Sequence, residues 1–170
     1  MLLVTGPRTP PPHVADERTS LSSWLDFHRA TLLQKCEGLD DEQLRRPMVP
    51  SGTSLLGLVK HLTAVEHGWF AVCFAQTGES HLFSTEDDPD ADLRPEPGES
   101  AQQLFDGYRQ ACQRSRQIVA AADSLDQTAP HARRGVVDLR WILTHLLEET
   151  ARHNGHADIV RELIDGATGD

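Results

Sequence analysis

The sequence predicts an all-α protein, specifically a four-helix bundle. Four segments of about 20–25 residues repeat apolar side chains at spacings of three and four, which is typical of amphipathic helices. Proline, glycine and acidic residues separate these segments, and no segment indicates a strand. Four helices with one apolar face each can bury those faces against one another in a single core.

The first helix follows a proline-rich leader. Residues 1–16 are predicted to form an irregular arm, because "GPRTPPPHVADE" is rich in proline. Residues 17–167 are assigned to a single domain. Within it, a helical pattern begins at Thr19 and is expected to end at Gly38. In the connector that follows, Asp40 is a plausible cap for one short helical turn.

The second helix is predicted to begin near Ser51 or Thr53 and to reach about Ala75. The segment from Gly78 to Glu99, which we call the acidic loop, is too polar and too rich in proline to form a core element. A loop of this length in a small domain often serves as a lid or a binding loop.

The third and fourth helices carry clear start signals. Ser100 and Gln103 have the spacing of a capping box, so the third helix is expected to begin at Ser100. Asp138 is a good N-cap for the last helix. That helix is predicted to run to about Ile164 and to end at Gly166.

Composition excludes several function classes. The chain has 170 residues, 38% of them hydrophobic and 25% charged, which is normal for a soluble domain. A formal net charge of -10 argues against nucleic acid and against anionic membranes as partners. No apolar run is long enough to span a membrane, and the leading apolar patch is too short for a signal peptide. We therefore expect a cytoplasmic protein whose three cysteines stay reduced.

Three ionisable side chains draw attention to the second and fourth helices. Glu149 and His153 lie four residues apart on the inward stripe of the fourth helix, where ionisable groups are costly unless paired or bound to a metal. His61 flanks the apolar line of the second helix. The three side chains can meet in the core as two imidazoles and one carboxylate, a set that leaves coordination positions open.

Spacing alone leaves other interpretations open. Glu149 and His153 can form a simple side-chain pair, and His61 can be a packed histidine. His156 lies one turn beyond His153 and is a candidate weaker ligand or partner of the ligands, and Glu66 is a second candidate partner. His145 competes poorly, because it is eight residues from His153, a rise of about 12 Å.

Two longer segments resemble a known family. "GTSLLGLVKHLTAVEHGWF" followed by "LRWILTHLLEETARHNGHADIVRELIDG" is similar to the DinB-like superfamily. The closer resemblance is to its subgroup of mini-circle or unknown-function proteins, near the mycothiol-dependent maleylpyruvate isomerases. It covers about residues 15–167. The resemblance implies a four-helix bundle, commonly a homodimer, with a metal ion between the second and fourth helices.

The resemblance also implies a ligand set. Many superfamily members carry three histidines, whereas the maleylpyruvate isomerase-like variant has His, Glu and His, which bind zinc. Carried over by position, the ligands here are His61, Glu149 and His153. Zinc is the first expectation for the divalent metal, with nickel, manganese and iron as alternatives.

The implied chemistry uses a small thiol. Proteins of this type are thought to use mycothiol or bacillithiol in isomerase or S-transferase reactions, and a metal with an open position can lower the pKa of a bound thiol. The expected partners are therefore a small thiol and a small-molecule substrate. No internal catalytic acid or base is identified. Arg94 is a candidate substrate-binding group in the acidic loop. The alternatives are a non-catalytic metal-binding or stress-response dimer, and a bundle whose metal site is vestigial.

Overall fold

Four long helices form the bundle, as predicted. The computed structural model describes residues 8–169; residues 1–7, with the apolar patch and the beginning of the predicted arm, lie outside the described residues. The helices are α1 (Glu17–Lys35), α2 (Asp41–Arg45), α3 (Leu55–Glu66), α4 (Ala101–Ala121) and α5 (Leu139–Asp165). The smaller elements are a π-helical segment (His67–Phe74), a 3-10 turn (Ala91–Leu93) and the strands β1 (Thr128–His131) and β2 (Gly135–Asp138).

Polar caps fix where the helices begin. The Asp138 carboxylate accepts a hydrogen bond from the backbone N–H of Trp141 at 2.7 Å, at the start of α5. Ser100 and Gln103 form the predicted capping box of α4. The first helix begins two residues before the predicted Thr19, because Asp16 accepts the backbone N–H of Thr19 and acts as its cap. Each such bond satisfies a backbone donor that the helix itself leaves unpaired.

The long helices pack around a shared apolar interior, and Arg116 of α4 also pairs with Asp26 of α1. α5 packs against α1 and α3, and α4 packs against α3. Two apolar clusters fill the interior, one around Leu55, Leu62 and Phe105 and the other around Phe70 and Ile142. Each fully buried side chain of this size contributes about 1.5–3 kcal/mol relative to its exposed state. The packed core thus holds α3 and α5 side by side.

The acidic loop crosses the outside of α3. Gly57 permits this approach, because a Cβ at that position would lie 2.3 Å from the backbone oxygen of Leu93. Lys60 anchors the loop further along the helix, where its ammonium donates to the backbone oxygen of Arg94 at 2.9 Å and to Glu99 at 2.8 Å. The loop is therefore held against the helix rather than extended into solvent.

A small hairpin corrects the expectation that the chain contains no strand. β1 and β2 pair antiparallel, and Ala129 lies opposite Val137 in the register. Both side chains are buried and join the apolar cluster at the start of α5. The strands are only four residues long and β1 contains Pro130, which cannot donate to a ladder, so the local pattern favoured a linker. Tertiary burial of the two apolar side chains stabilises the hairpin.

Within the described part of the chain, no helix is both long enough and apolar enough to cross a lipid bilayer.

Candidate metal centre

Two neighbouring helices present the three candidate ligands to one another. His61 lies in the second turn of α3, beside the buried Leu62. Glu149 and His153 lie one turn apart on α5, following the buried Leu146. The exposed fractions of the three side chains are 18%, 21% and 14%, so the group lies just below the surface. We call His61, Glu149 and His153 the triad.

The donor atoms of the triad converge. Oε1 of Glu149 lies 3.2 Å from Nε2 of His153 and 3.5 Å from Nε2 of His61. One nitrogen or oxygen from each side chain falls within 4.8 Å of the other two. A tetrahedral ion with bonds of about 2.0–2.1 Å separates its ligand atoms by about 3.3–3.4 Å. The spacing of these donors therefore fits a small divalent metal.

A residue outside the sequence prediction orients His61. Oδ2 of Asp92, in the 3-10 turn of the acidic loop, lies 2.9 Å from Nδ1 of His61. A carboxylate on one imidazole nitrogen leaves the other nitrogen free to face a metal, and this arrangement is common around metal-bound histidines. Asp92 is one of several acidic residues between 86 and 92, and no spacing in the sequence distinguishes it from its neighbours.

His156 contacts the other imidazole of the triad. Its Nδ1 lies 3.3 Å from Nδ1 of His153, so one of these two nitrogens donates and the other accepts. The Nε2 atom of His153 is left facing Glu149. Although the sequence offered His156 also as a weaker ligand, its position here is that of a partner to His153.

Burial and nearby charges together set the protonation of the triad. Burial lowers the pKa of His61, but Asp92 and Glu149 outweigh that effect and raise it above 6.5. Burial and the charge of His61 lower the pKa of His153. For Glu149, burial raises the pKa, but the two histidines more than offset it and the net shift is downward. At neutral pH Glu149 is therefore ionised and His153 neutral, which are the forms that bind metals.

Glu66 lies in a different environment. Its two carboxylate oxygens accept hydrogen bonds from Nε and an Nη atom of Arg29, both at 2.6 Å, and both side chains are buried. This bidentate pair joins α3 to α1. The structure gives Glu66 no hydrogen bond to the triad among the described residues, so its part as a partner of the ligands has no support from geometry.

The charged contacts of Arg94 are also made away from the triad. Its guanidinium pairs with Asp88 and donates to the backbone oxygen of Asp90 at 3.2 Å. The side chain is 53% exposed. Because its partners belong to the same loop, Arg94 stabilises the loop locally, and its use for substrate binding requires that the pair with Asp88 open.

His145 takes part in an aromatic cluster next to the triad. Its ring stacks on Trp141 with 5.0 Å between centroids and meets the edge of Trp69 at 4.9 Å. Burial lowers its pKa, which keeps the ring neutral. Its place is with these tryptophans rather than with the ligand atoms.

Comparison with known proteins agrees with the fold and identifies the family. A protein-family model described as Mycothiol-S-transferase matches residues 20–166, from α1 to the end of α5. A search of curated proteins found no match to the chain. The matched segment includes all three triad residues, and the family is DinB-like, which confirms the resemblance seen in the sequence. The chain belongs to the mycothiol-S-transferase family.

Proposed function

We propose that this protein is a metal-dependent transferase that joins a low-molecular-weight thiol, such as mycothiol, to an electrophilic small molecule. Membership of the mycothiol-S-transferase family supports the reaction class. The single observation that carries the metal dependence is the convergence of one donor atom each from His61, Glu149 and His153. Three protein donors are the usual number in catalytic zinc sites, which keep a further position open.

The chain's own residues prepare this site. A bound divalent metal with an open position would lower the pKa of a thiol and hold it as a thiolate at neutral pH. Glu149 supplies the one negative charge of the triad, and Asp92 fixes the orientation of His61. His156 fixes the orientation of His153 through a hydrogen bond between their Nδ1 atoms. The ligands are thereby held in position before any metal binds, which reduces the cost of organising them.

The nucleophilic sulfur must come from a separate molecule. Burial raises the pKa of Cys36 to about 12 and also raises the pKa of Cys112. Cys73 is partly exposed, but burial raises its pKa as well. A thiol with a raised pKa is a poor nucleophile at neutral pH, because only the thiolate reacts. None of the three cysteines is therefore activated, in agreement with an external thiol as co-substrate.

Further parts of the proposal follow from the family resemblance. Zinc is the proposed metal, because two imidazoles and a carboxylate are ligands that it accepts readily. The proposed assembly is a homodimer. The proposed location is the cytoplasm, where small thiols are kept reduced.

Cobalt substitution tests the proposal directly. Binding of a thiolate to cobalt adds charge-transfer absorption in the near ultraviolet. We expect this band when mycothiol, or N-acetylcysteine at a higher concentration, is added to the cobalt protein. The His145→Ala variant should keep the band, and the His153→Ala variant should lose it together with tight metal binding.

The same experiment separates the two candidate functions. A non-catalytic metal-binding protein has no preference for thiols over water at the metal. If the cobalt spectrum is the same with and without every thiol tested, the transferase proposal is rejected in favour of the binding protein. A thiol-dependent band should be followed by a transfer assay with mycothiol and an alkylating electrophile.

A further inference from the structure

A cavity of about 520 Å³ lies beside the triad, between three parts of the chain. One wall is the end of α3 with the π-helical segment, the second is the acidic loop, and the third is the hairpin. Its lining includes Val65, Trp69, Val72, Leu82, Asp92 and Pro130.

Asp92 connects the cavity to the triad. It lines the cavity and at the same time contacts Nδ1 of His61 at 2.9 Å. Val65 lies one helical turn after His61, on the same face of α3, at a rise of about 6 Å. A molecule of one or two rings that lies over Val65 would therefore place one end close to the triad.

The walls of the cavity are mainly apolar. Val65 and Val72 line it from the helix, Leu82 from the acidic loop and Pro130 from the hairpin. Such a surface matches a flat hydrocarbon or aromatic body, since pockets for small molecules are lined mostly by apolar and aromatic side chains. It matches the polar body of a thiol such as mycothiol poorly, because that body would lose its hydrogen bonds to water.

Trp69, in the helical wall of the cavity, is held in place by neighbouring aromatic rings. The ring of Trp69 stacks on His131 with 4.8 Å between centroids and an angle of 17°, and it lies 5.3 Å from Trp141. Trp69 belongs to the π-helical segment, a helix type that occurs frequently at functional sites. A ring held by His131, Trp141 and His145 loses little conformational entropy when a ligand packs on it.

A glycine brings the loop close to this helix. A Cβ at position 68 would lie 3.1 Å from Nδ1 of His81, closer than nearly all real contacts of this kind. The absence of a side chain at Gly68 therefore permits His81 and Leu82 to approach and to form the second wall.

We propose that this cavity binds the electrophilic acceptor of the reaction, and that the acceptor is a flat aromatic compound. The inference rests on the proposed transferase function. In a displacement, the sulfur lone pair forms a bond to the electrophilic carbon, and the leaving group departs with the electrons of its own bond. The proton of the thiol passes to solvent. The cavity aligns the aromatic body so that its reactive carbon faces the triad.

A binding experiment tests the cavity without turnover. The probe is 1,3-dinitrobenzene, which lacks a leaving group, and the protein is the full chain freed of metal with a chelator. We expect the indole N–H signal of Trp69 to shift in proton–nitrogen correlation spectra. Trp24 lies on α1, outside the cavity lining, so its signal provides an internal control and should stay in place.

A matched pair of variants tests the location. Val72→Phe narrows the cavity at a half-buried position and should abolish the shift of Trp69. Leu163→Phe makes a similar apolar change at a position of α5 that is 52% exposed and should leave the shift intact. An unchanged Trp24 signal in the Val72→Phe protein shows that the variant is folded.

Turnover provides an independent measurement. With metal and thiol present, Val72→Phe should lower kcat/KM for 1-chloro-2,4-dinitrobenzene by roughly tenfold relative to kcat/KM for iodoacetamide, which has no ring to place in the cavity. Leu163→Phe should not alter this ratio. An equal loss for both electrophiles would overturn the assignment of the cavity.

The outcomes distinguish the two proposals. Thiol transfer without any shift of Trp69 by the probe rejects the cavity and leaves the transferase standing. A shift of Trp69 without transfer to any electrophile rejects the transferase and with it the description of the ligand as an acceptor.

Discussion

Asp92 determines which nitrogen of His61 faces the other two residues of the triad. Its carboxylate accepts a hydrogen bond from the Nδ1–H group and leaves the lone pair of Nε2 directed towards Glu149. Without this partner the ring can adopt the other tautomer and rotate. A single residue of a surface loop therefore orients a candidate ligand on a helix of the core.

Replacement of that carboxylate should weaken metal binding. We expect Asp92→Asn to reduce zinc affinity by about 10- to 100-fold, the usual effect of losing a partner of a ligand. Competition with a chromophoric chelator measures the change. Asp90→Asn removes the same charge from the same loop without touching His61 and should bind zinc like the parent. Equal affinities for the two variants would contradict the role given to Asp92.

The cysteines give a prediction with a defined pH dependence. A raised pKa reduces the thiolate fraction about tenfold for each pH unit below it. Cys73 is partly exposed, whereas Cys36 and Cys112 are buried. Alkylation of the folded protein should therefore begin at Cys73 and should still accelerate above pH 9, the ordinary pKa of its thiol. Cys36 and Cys112 should react only after denaturant is added. Peptide mapping by mass spectrometry identifies the sites, and early labelling of Cys36 would contradict the burial.

For individual residues, the sequence predicted where side chains on helices lie. The spacing of Glu149 and His153 places both on one face, and a histidine beside an apolar line can point inward. Asp92 could not be found in this way, because its contact with His61 joins positions 31 residues apart through an irregular loop. The sequence offers Glu66, more than one turn beyond His61, as a candidate partner of the ligands, but its carboxylate accepts hydrogen bonds from the buried Arg29 of α1.

The helix that carries His61 changes from α-helical to π-helical geometry after Glu66. α3 ends at Glu66, and the π-helical segment continues to Phe74 with bonds such as that from Ala75 N–H to Phe70 O. The apolar pattern runs through both parts, so the sequence predicted one helix to about Ala75. A wider helical turn shifts the direction of each later side chain, and no local composition reveals where that turn begins.

The hairpin was missed for a related reason. Its two strands are stabilised by the burial of Ala129 and Val137 on the core, which is a tertiary effect. The glycine at position 135 was the one signal in the sequence, since a glycine after a short loop is typical of hairpins. In the structure Gly135 adopts the left-handed region, with φ of 80°.

The Gly57→Ala substitution, which adds one methyl group, tests the contact between the acidic loop and α3. Gly57→Ala should favour the helix by about 1 kcal/mol in isolation, but its Cβ would lie 2.3 Å from the backbone oxygen of Leu93. The loop must then shift, and Asp92 shifts with it. We expect lower stability and a loss of zinc affinity of at least about tenfold, similar to that of Asp92→Asn.

A second glycine provides the control for this change. A Cβ at Gly107 of α4 would meet only a methyl carbon of Thr63, at 4.0 Å. Gly107→Ala should therefore raise the free energy of unfolding by up to about 1 kcal/mol and leave zinc affinity unchanged. Chemical denaturation and metal titration of both variants measure the effects. An unaffected zinc affinity in Gly57→Ala would show that the loop position does not control the triad.

In the whole molecule, the triad joins segments that are distant in the sequence. His61 and Glu149 are separated by 88 residues, and the acidic loop reaches the same point through Asp92. A metal at the triad would therefore link α3 to α5, while the loop and the hairpin border the adjacent cavity. Such a link exists only in the folded chain, because the ligands are far apart when it is unfolded.

Metal binding should consequently raise thermal stability. At free zinc 100 times above the dissociation constant, a ligand specific for the folded state stabilises it by about 2.7 kcal/mol. For a chain of this length that corresponds to a rise in Tm of about 5–10 °C. Differential scanning calorimetry of chelator-treated protein, with and without zinc, measures the shift.

The variants of the triad decide whether the rise comes from this site. His61→Ala, Glu149→Ala and His153→Ala each remove one of the three donors and should show little or no rise in Tm with zinc. His145→Ala removes a histidine one turn from Glu149 on α5 that contacts Trp69 and Trp141 instead of the donor atoms, and it should keep the full rise. If Glu149→Ala is stabilised by zinc as strongly as the parent, the ion binds elsewhere, and both the triad and the transferase proposal built on it must be given up.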